Sequence, residues 1–170
     1  MNETRKIAAI LVADVIGYSR LVGADEDRTL ARLRALRSDL IDPTIVVHNG
    51  RVVKRTGDGA IVEFRSVIDA VRCAIEVQSG MIERNAGLPP ERRIEFRVGI
   101  HLGDVVEESD GDLMGDGVNI AARLEGICRL AGFVCRKMPI DRFATRSKNS
   151  SSISESKSSR TSRGQCAPIK

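Results

Sequence analysis

Hydrophobic positions along the chain fall into short β-like blocks and longer helical stripes. Residues 7–16, Ile-Ala-Ala-Ile-Leu-Val-Ala-Asp-Val-Ile, form a near-continuous apolar run, the pattern of a strand covered on both faces. Behind the acidic opening Asp25-Glu26-Asp27, residues Leu30, Leu33, Leu36, Leu40 and Ile41 recur at helical spacing, which predicts a long amphipathic helix over 25–47 packed on the sheet. Pro43 should bend or stop it, Asn49-Gly50 should turn the chain, and Arg32, Arg34 and Arg37 read as its solvated face. Val52-Val53 and Ile61-Val62 predict two strands joined by the tight turn Gly57-Asp58-Gly59. A second helix is predicted over 66–85, with Val67, Ile68, Val71, Ile75, Met81 and Ile82 on its apolar side. Residues 94–103 then alternate as a strand, placing Arg97 on one face with Glu95, Gly99 and His101. A turn-rich segment over 104–117 leads into a helix from Val118. There Asn119 and Arg123 share one face, and Val118, Ala122 and residues 124–127 are available to the core.

The order strand, helix, strand, strand, helix, strand, helix predicts an α+β fold. It is close to a ferredoxin-like α/β sandwich with a central antiparallel β-hairpin. The pattern breaks after Ile127. Nine serines crowd residues 147–162 among lysines and arginines, the composition of a disordered segment, and Gly132-Phe133-Val134 is a candidate last strand with poor partners. The expected organisation is one domain over 1–127, extending to about residue 145, and a basic serine-rich tail over 146–170.

Charge divides at the same place. Of 27 Lys/Arg and 23 Asp/Glu, ten basic residues but only Asp141 and Glu155 lie in 128–170, leaving 17 basic and 21 acidic residues in 1–127. The body is therefore mildly acidic, which argues against a nucleic-acid-binding face, and the basic tail lacks the interleaved aromatics of a single-strand binder. No apolar run of 18 residues predicts a membrane span, and the first apolar run lacks a signal-peptide cleavage site. The expected location is cytoplasmic, away from membranes. The four cysteines, Cys73, Cys128, Cys135 and Cys166, make no C-x-x-C pair and read as reduced thiols.

Two aspartates stand out. Asp14 closes an apolar strand, where a carboxylate is costly unless it is paired, caps a helix or binds metal. Asp58 sits at a hairpin tip, either as a turn residue or as a cation holder at a sheet edge. His101 reads as a hydrogen-bonded strand residue. Asn119 and Arg123 form either an exposed polar stripe or a phosphate clamp at a helix start.

Four segments in order carry a resemblance: Ala13-Asp14-Val15-Ile16-Gly17-Tyr18-Ser19, Lys54-Arg55-Thr56-Gly57-Asp58-Gly59, Arg97-Val98-Gly99-Ile100-His101, and residues 112–123, Asp-Leu-Met-Gly-Asp-Gly-Val-Asn-Ile-Ala-Ala-Arg. Together, over about residues 5–127, they resemble the catalytic domain of a class III nucleotidyl cyclase. The resemblance implies a bacterial adenylate cyclase that makes 3′,5′-cyclic AMP and pyrophosphate from ATP. It implies two divalent cations per site, Mg²⁺ or Mn²⁺, on Asp14 and Asp58, with Val15 in the metal set. Lys54 and Asp112 match the purine-selecting pair and imply adenine over guanine. Asn119 would orient the ribose and Arg123 would stabilise charge at the α-phosphate. Arg97 would grip the triphosphate, and backbone amides near Val15, Ile16 and Gly17 would also meet phosphate. Since the family builds its site between two domains, and this chain carries both residue sets, the resemblance implies a head-to-tail homodimer with sites at the interface.

Beyond Ile127 the chain departs from the family pattern, which continues through further strands. The expectation is a reading-frame shift near codon 128, a domain short of its last strands, and a site weakened by that loss. The alternative reading is an inactive nucleotide-binding or dimerisation module.

Overall fold

In the computed structural model, residues 4–128 and 132–135 are described, the last four by their backbone. The first strand, β1 (Thr4–Val15), starts three residues before its apolar run. Its extra residues pair with a fourth strand that is also longer than its pattern: Thr4 stands opposite Glu107 and Asp14 opposite Arg97. Four helices follow on one side of the sheet. They are α1 (Tyr18–Ala24), α2 (Glu26–Leu36), α3 (Asp42–Val47) and, after the hairpin, α4 (Val67–Asn85). The hairpin strands are β2 (Gly50–Thr56) and β3 (Gly59–Phe64). Then come β4 (Phe96–Glu107), the two-residue β5 (Leu113–Met114), α5 (Asp116–Ile127) and β6 (Gly132–Cys135).

The sheet runs β2-β3-β1-β4-β5, antiparallel throughout, so the predicted ferredoxin-like order with its hairpin beside β1 is present. The segment after Ile127 finds a better place than its sequence promised: β6 pairs in parallel with β4 from Arg97 to Ile100. Residues 136–170, and with them the expected serine-rich tail, lie outside the described residues.

Alternation along the strands divides the buried side chains into two sets. Ala9, Leu11, Val62, Phe64, Phe96, Val98 and Ile100 face the α1–α4 layer and form the larger core. Ala8, Ile10, Val105 and Leu113 face the other way, around Ala121 of α5. One irregularity decides which face β2 gives its charged residues. Val52 pairs with Val62 but Lys54 pairs with Ile61, so Val53 is an extra residue in β2. Strict alternation would aim Lys54 at the helices. The bulge turns it to the α5 side with Ile61, and turns Arg55 to the helix side, where its Nη2 donates to both Asp42 carboxylate oxygens at 2.8 Å.

Three expectations need correction. Pro43 does not stop its helix. The chain widens into a π turn over Arg37–Ile41, with Asp42 N–H donating to Arg37 O, and so passes the residue that lacks an N–H. On α4 the buried face is Ala70, Cys73, Ala74, Val77 and Met81, while Ile68, Ile75 and Ile82 are exposed. The helix carries two apolar stripes, and the one with small residues allows the closer approach. On α5, Gly117 and Ala121 are buried and Ile127 is exposed, for a related reason given below.

Candidate active site

The carboxylates of Asp14 and Asp58 meet where β1 ends against the hairpin tip. Gly57 and Asp58 form the two-residue connection, since Thr56 pairs with Gly59. Gly59 makes the approach possible: a Cβ there would lie 2.6 Å from Ala13 O and 3.4 Å from Asp14 Oδ1. Burial, together with the neighbouring Asp14 carboxyl that it hydrogen-bonds, pushes the Asp58 carboxyl up to about 6. Two carboxylates this close oppose joint ionisation unless a cation lies between them. Hard oxygen donors of this kind suit Mg²⁺ or Mn²⁺, so the pair fits a divalent cation whose remaining ligands come from elsewhere. Among the described residues no group of three or more His, Cys, Asp or Glu is gathered to hold a metal alone.

Arg97 is the counterweight. Its Nη2 donates to Asp14 Oδ2 at 2.9 Å, and its Nε lies 2.8 Å from Glu125 Oε1. That second contact is close but misaligned, since both atoms are buried without a well-formed hydrogen bond. Burial pushes the Glu125 carboxyl up, against the pull of Arg97. Asp14 thus has one oxygen committed to Arg97 and the other turned toward the hairpin.

A second group lies further along the same hairpin. Lys54 Nζ donates to Asp112 Oδ2 at 2.9 Å, although β2 and β5 are opposite edges of the sheet path. The sheet curls enough for its edges to share a contact. The pairing raises the Lys54 pKa and lowers that of Asp112. The other Asp112 oxygen accepts from Leu113 N–H at 2.9 Å, so the carboxylate is fixed at both ends.

The third group is on α5. Asn119 and Arg123, one turn apart, are exposed and have no described side-chain partner, which leaves them available to a ligand. Their height over the sheet is set by Gly99, where a Cβ would lie 2.3 Å from Ala121 O and 2.4 Å from Glu125 N. Helix backbone therefore rests directly on strand backbone. Only small residues, Gly117 and Ala121, fit the contact face.

The predicted residues are thus present in three groups: Asp14, Asp58 and Arg97; Lys54 and Asp112; Asn119 and Arg123. Val15 has its side chain buried in the core, leaving its backbone as the group it offers the site. Gly17 caps α1 in a left-handed conformation. The Ile16 amide is not available to phosphate, because it donates to Glu95 O at 2.8 Å. Sequence reading missed three supports. Arg37, taken as solvated, donates to Gly57 O at 2.5 Å and steadies the turn that carries Asp58. Arg32, taken likewise, ties down the Arg92 carbonyl and Asn85. Glu125 reaches Arg97 Nε from α5, and nothing near it in sequence names that partner.

A family model described as the adenylate and guanylate cyclase catalytic domain matches residues 1–131. The chain is 49% identical over 128 residues to a Rhizobium meliloti protein provisionally named adenylate cyclase 3, covering 75% of this chain and 22% of that protein. It is 32% identical over 119 residues to an adenylate cyclase of Streptomyces coelicolor, covering 70% of this chain and 29% of that one. It therefore spans under a third of either relative. A solved structure titled adenylate/guanylate cyclase/hydrolase from Silicibacter pomeroyi superposes with a TM-score of 0.76 at 41% identity, covering 86% of this chain and 85% of that one. With its motifs in three spatial groups on the matched segment, this chain belongs to the adenylate and guanylate cyclase catalytic domain family.

Proposed function

We propose that this domain is an adenylate cyclase, forming 3′,5′-cyclic AMP and pyrophosphate from ATP in a homodimer. The observation that carries the reading is the meeting of Lys54 and Asp112 at 2.9 Å on the face that also holds Asp14. Adjacent donor and acceptor groups suit adenine, whose N1 accepts and whose 6-amino group donates. Asp14 and Asp58 would hold two divalent cations, with the Val15 backbone beside them. Bound there, the cations supply Lewis acidity that lowers the pKa of the ribose 3′-hydroxyl and neutralises the triphosphate.

The chain's own residues would do the positioning. Asn119 orients the ribose so that its 3′-oxygen faces the α-phosphorus. Arg123 stabilises charge at the α-phosphate as the new P–O bond forms and the bond to the β-phosphate oxygen breaks, releasing pyrophosphate. Arg97 grips the triphosphate, sharing its guanidinium between phosphate and Asp14. Gly17, at the start of α1, lies on the phosphate side. The exposed, uncommitted state of Asn119 and Arg123 supports completion of each site by a second copy. The catalytic unit is residues 1–127 with β6 added, working in the cytoplasm.

The test is direct. Purified protein incubated with ATP and Mg²⁺ or Mn²⁺ should yield cyclic AMP. Asp58→Ala should lower that yield at least about 100-fold while the protein stays folded. Nucleotide binding without cyclic product from the parent protein would instead identify a non-catalytic binding module.

A further inference from the structure

On the same sheet face, next to Lys54 and Asp112, lies a group of four charges that the cyclase reading leaves unused. Lys6 Nζ reaches Glu63 Oε1 and Glu107 Oε2, each at 2.6 Å. Arg51 closes the ring, with Nη2 at 2.6 Å from Glu63 Oε2 and 2.8 Å from Glu107 Oε1. Two cations and two anions balance, and the ring joins β1, β2, β3 and β4. Lys6 is held above its usual pKa by Glu107 and Glu63, which outweigh partial burial, and Glu107 is held low by Lys6 and Arg51.

Arg51 does one thing the other three do not. Its Nη1 donates to the Gly111 carbonyl at 3.2 Å. Gly111 directly precedes Asp112 in a tight loop. Its N–H donates to Glu108 O, and Glu108 N–H donates to Asp112 O. One guanidinium therefore spans the strand that carries Lys54, the strand end at Glu107, and the loop that carries Asp112. Arg51 is also only two residues before the Val53 bulge that turns Lys54 to this face. A lysine could neutralise the same carboxylates but could not fork across three partners.

We infer that Arg51 is a positioning residue for nucleobase selection, holding the Gly111–Asp112 loop so that Asp112 stays in register with Lys54. This rests on reading Lys54 and Asp112 as the base-reading pair. Arg51 touches neither the nucleotide nor the reacting atoms. It acts through Asp112.

The test uses the full chain and two readouts, equilibrium binding of ATP and GTP and the kcat and KM for each. Arg51→Ala should raise the ATP KM and reduce the ATP-to-GTP preference about tenfold, with kcat at saturation changed less than about threefold. Arg51→Lys should fall between parent and Arg51→Ala, and serves alone if the alanine variant does not fold. In an Asp112→Ala background, Arg51→Ala should cause no further loss of preference, because the residue it positions is gone. An equal fall in kcat for both nucleotides with preference intact would overturn the inference, as would full additivity with Asp112→Ala. If Lys54→Ala leaves the preference unchanged, the base-reading pair itself is wrong. If Lys54→Ala removes the preference and Arg51→Ala does not, only the role of Arg51 fails.

Discussion

Two places on one hairpin solve opposite electrostatic problems. At the tip, Asp58 and Asp14 are held together with Arg97 as the nearby cation, and the strain shows as an Asp58 carboxyl pushed up to about 6. Four residues earlier, no more than about 14 Å along the chain, Lys54 meets Asp112 in a matched pair beside a balanced ring of four charges. The difference fits two kinds of ligand. Crowded carboxylates suit a ligand that brings positive charge, because its arrival relieves their repulsion. A fixed donor and acceptor suit a ligand with matching neutral hydrogen-bonding edges.

The strongest way to break this contrast is to part the two aspartates without touching either. Gly59→Val puts a side chain where even a Cβ meets Ala13 O at 2.6 Å. We expect cyclic AMP formation to fall at least about 100-fold and unfolding free energy to drop by about 1–3 kcal/mol, measured by turnover assay and denaturant titration. The Lys54–Asp112 contact should survive, so ATP should retain its preference over GTP in binding.

The converse change is Lys54→Ala, which leaves Asp112 without its side-chain donor. The expected effect is a loss of ATP preference of about 10–100-fold, corresponding to roughly 1–3 kcal/mol for an unmatched hydrogen-bonding group. Metal binding should be unaffected. A competition assay between ATP and GTP, with Mn²⁺ titration alongside, reads both.

The smallest effect concerns pH. Asp58 titrates higher in the folded protein than an ordinary aspartate, whose pKa is about 3.9, so between about pH 4 and 6 the folded state binds more protons than the unfolded. Stability from this group is therefore full below that window and is lost as pH rises through it. Without divalent cations, the melting temperature of the parent relative to Asp58→Asn should decline by a few degrees from pH 4 to 6.5. Saturating Mg²⁺ or Mn²⁺ should reverse the trend, since the cation holds the carboxylate ionised. A parent-minus-variant difference flat with pH would remove the contrast between the two places.

Much of this was legible in the chain because the signals are local. The apolar run before Asp14, the Gly-Asp-Gly tip and the Asn119/Arg123 spacing each lie within a dozen residues. Helix faces were less legible where two stripes compete. On α4 the isoleucines at 68, 75 and 82 look more hydrophobic than Ala70 and Ala74, yet packing distance favours the small side chains. The supports at Arg37, Arg51 and Glu125 were invisible for a different reason. Each acts across a turn or a layer, on Gly57, Gly111 and Arg97, and nothing near them in sequence names the partner. The Val53 bulge was hidden because two adjacent valines satisfy either alternation.

That bulge also makes the register of β2 a chemical variable. With the bulge at Val53, the side chain turned toward Asp112 is a lysine, a point donor, and the arginine that follows is sent to the helices and Asp42. Deleting Val53 would leave Lys54 opposite Ile61 and Arg55 opposite Ala60 in plain alternation, with both on their present faces. Flattening the bulge with every residue kept would instead exchange the two, turning a guanidinium toward Asp112 and a lysine toward Asp42, so the group beside Asp112 depends on register as much as on sequence.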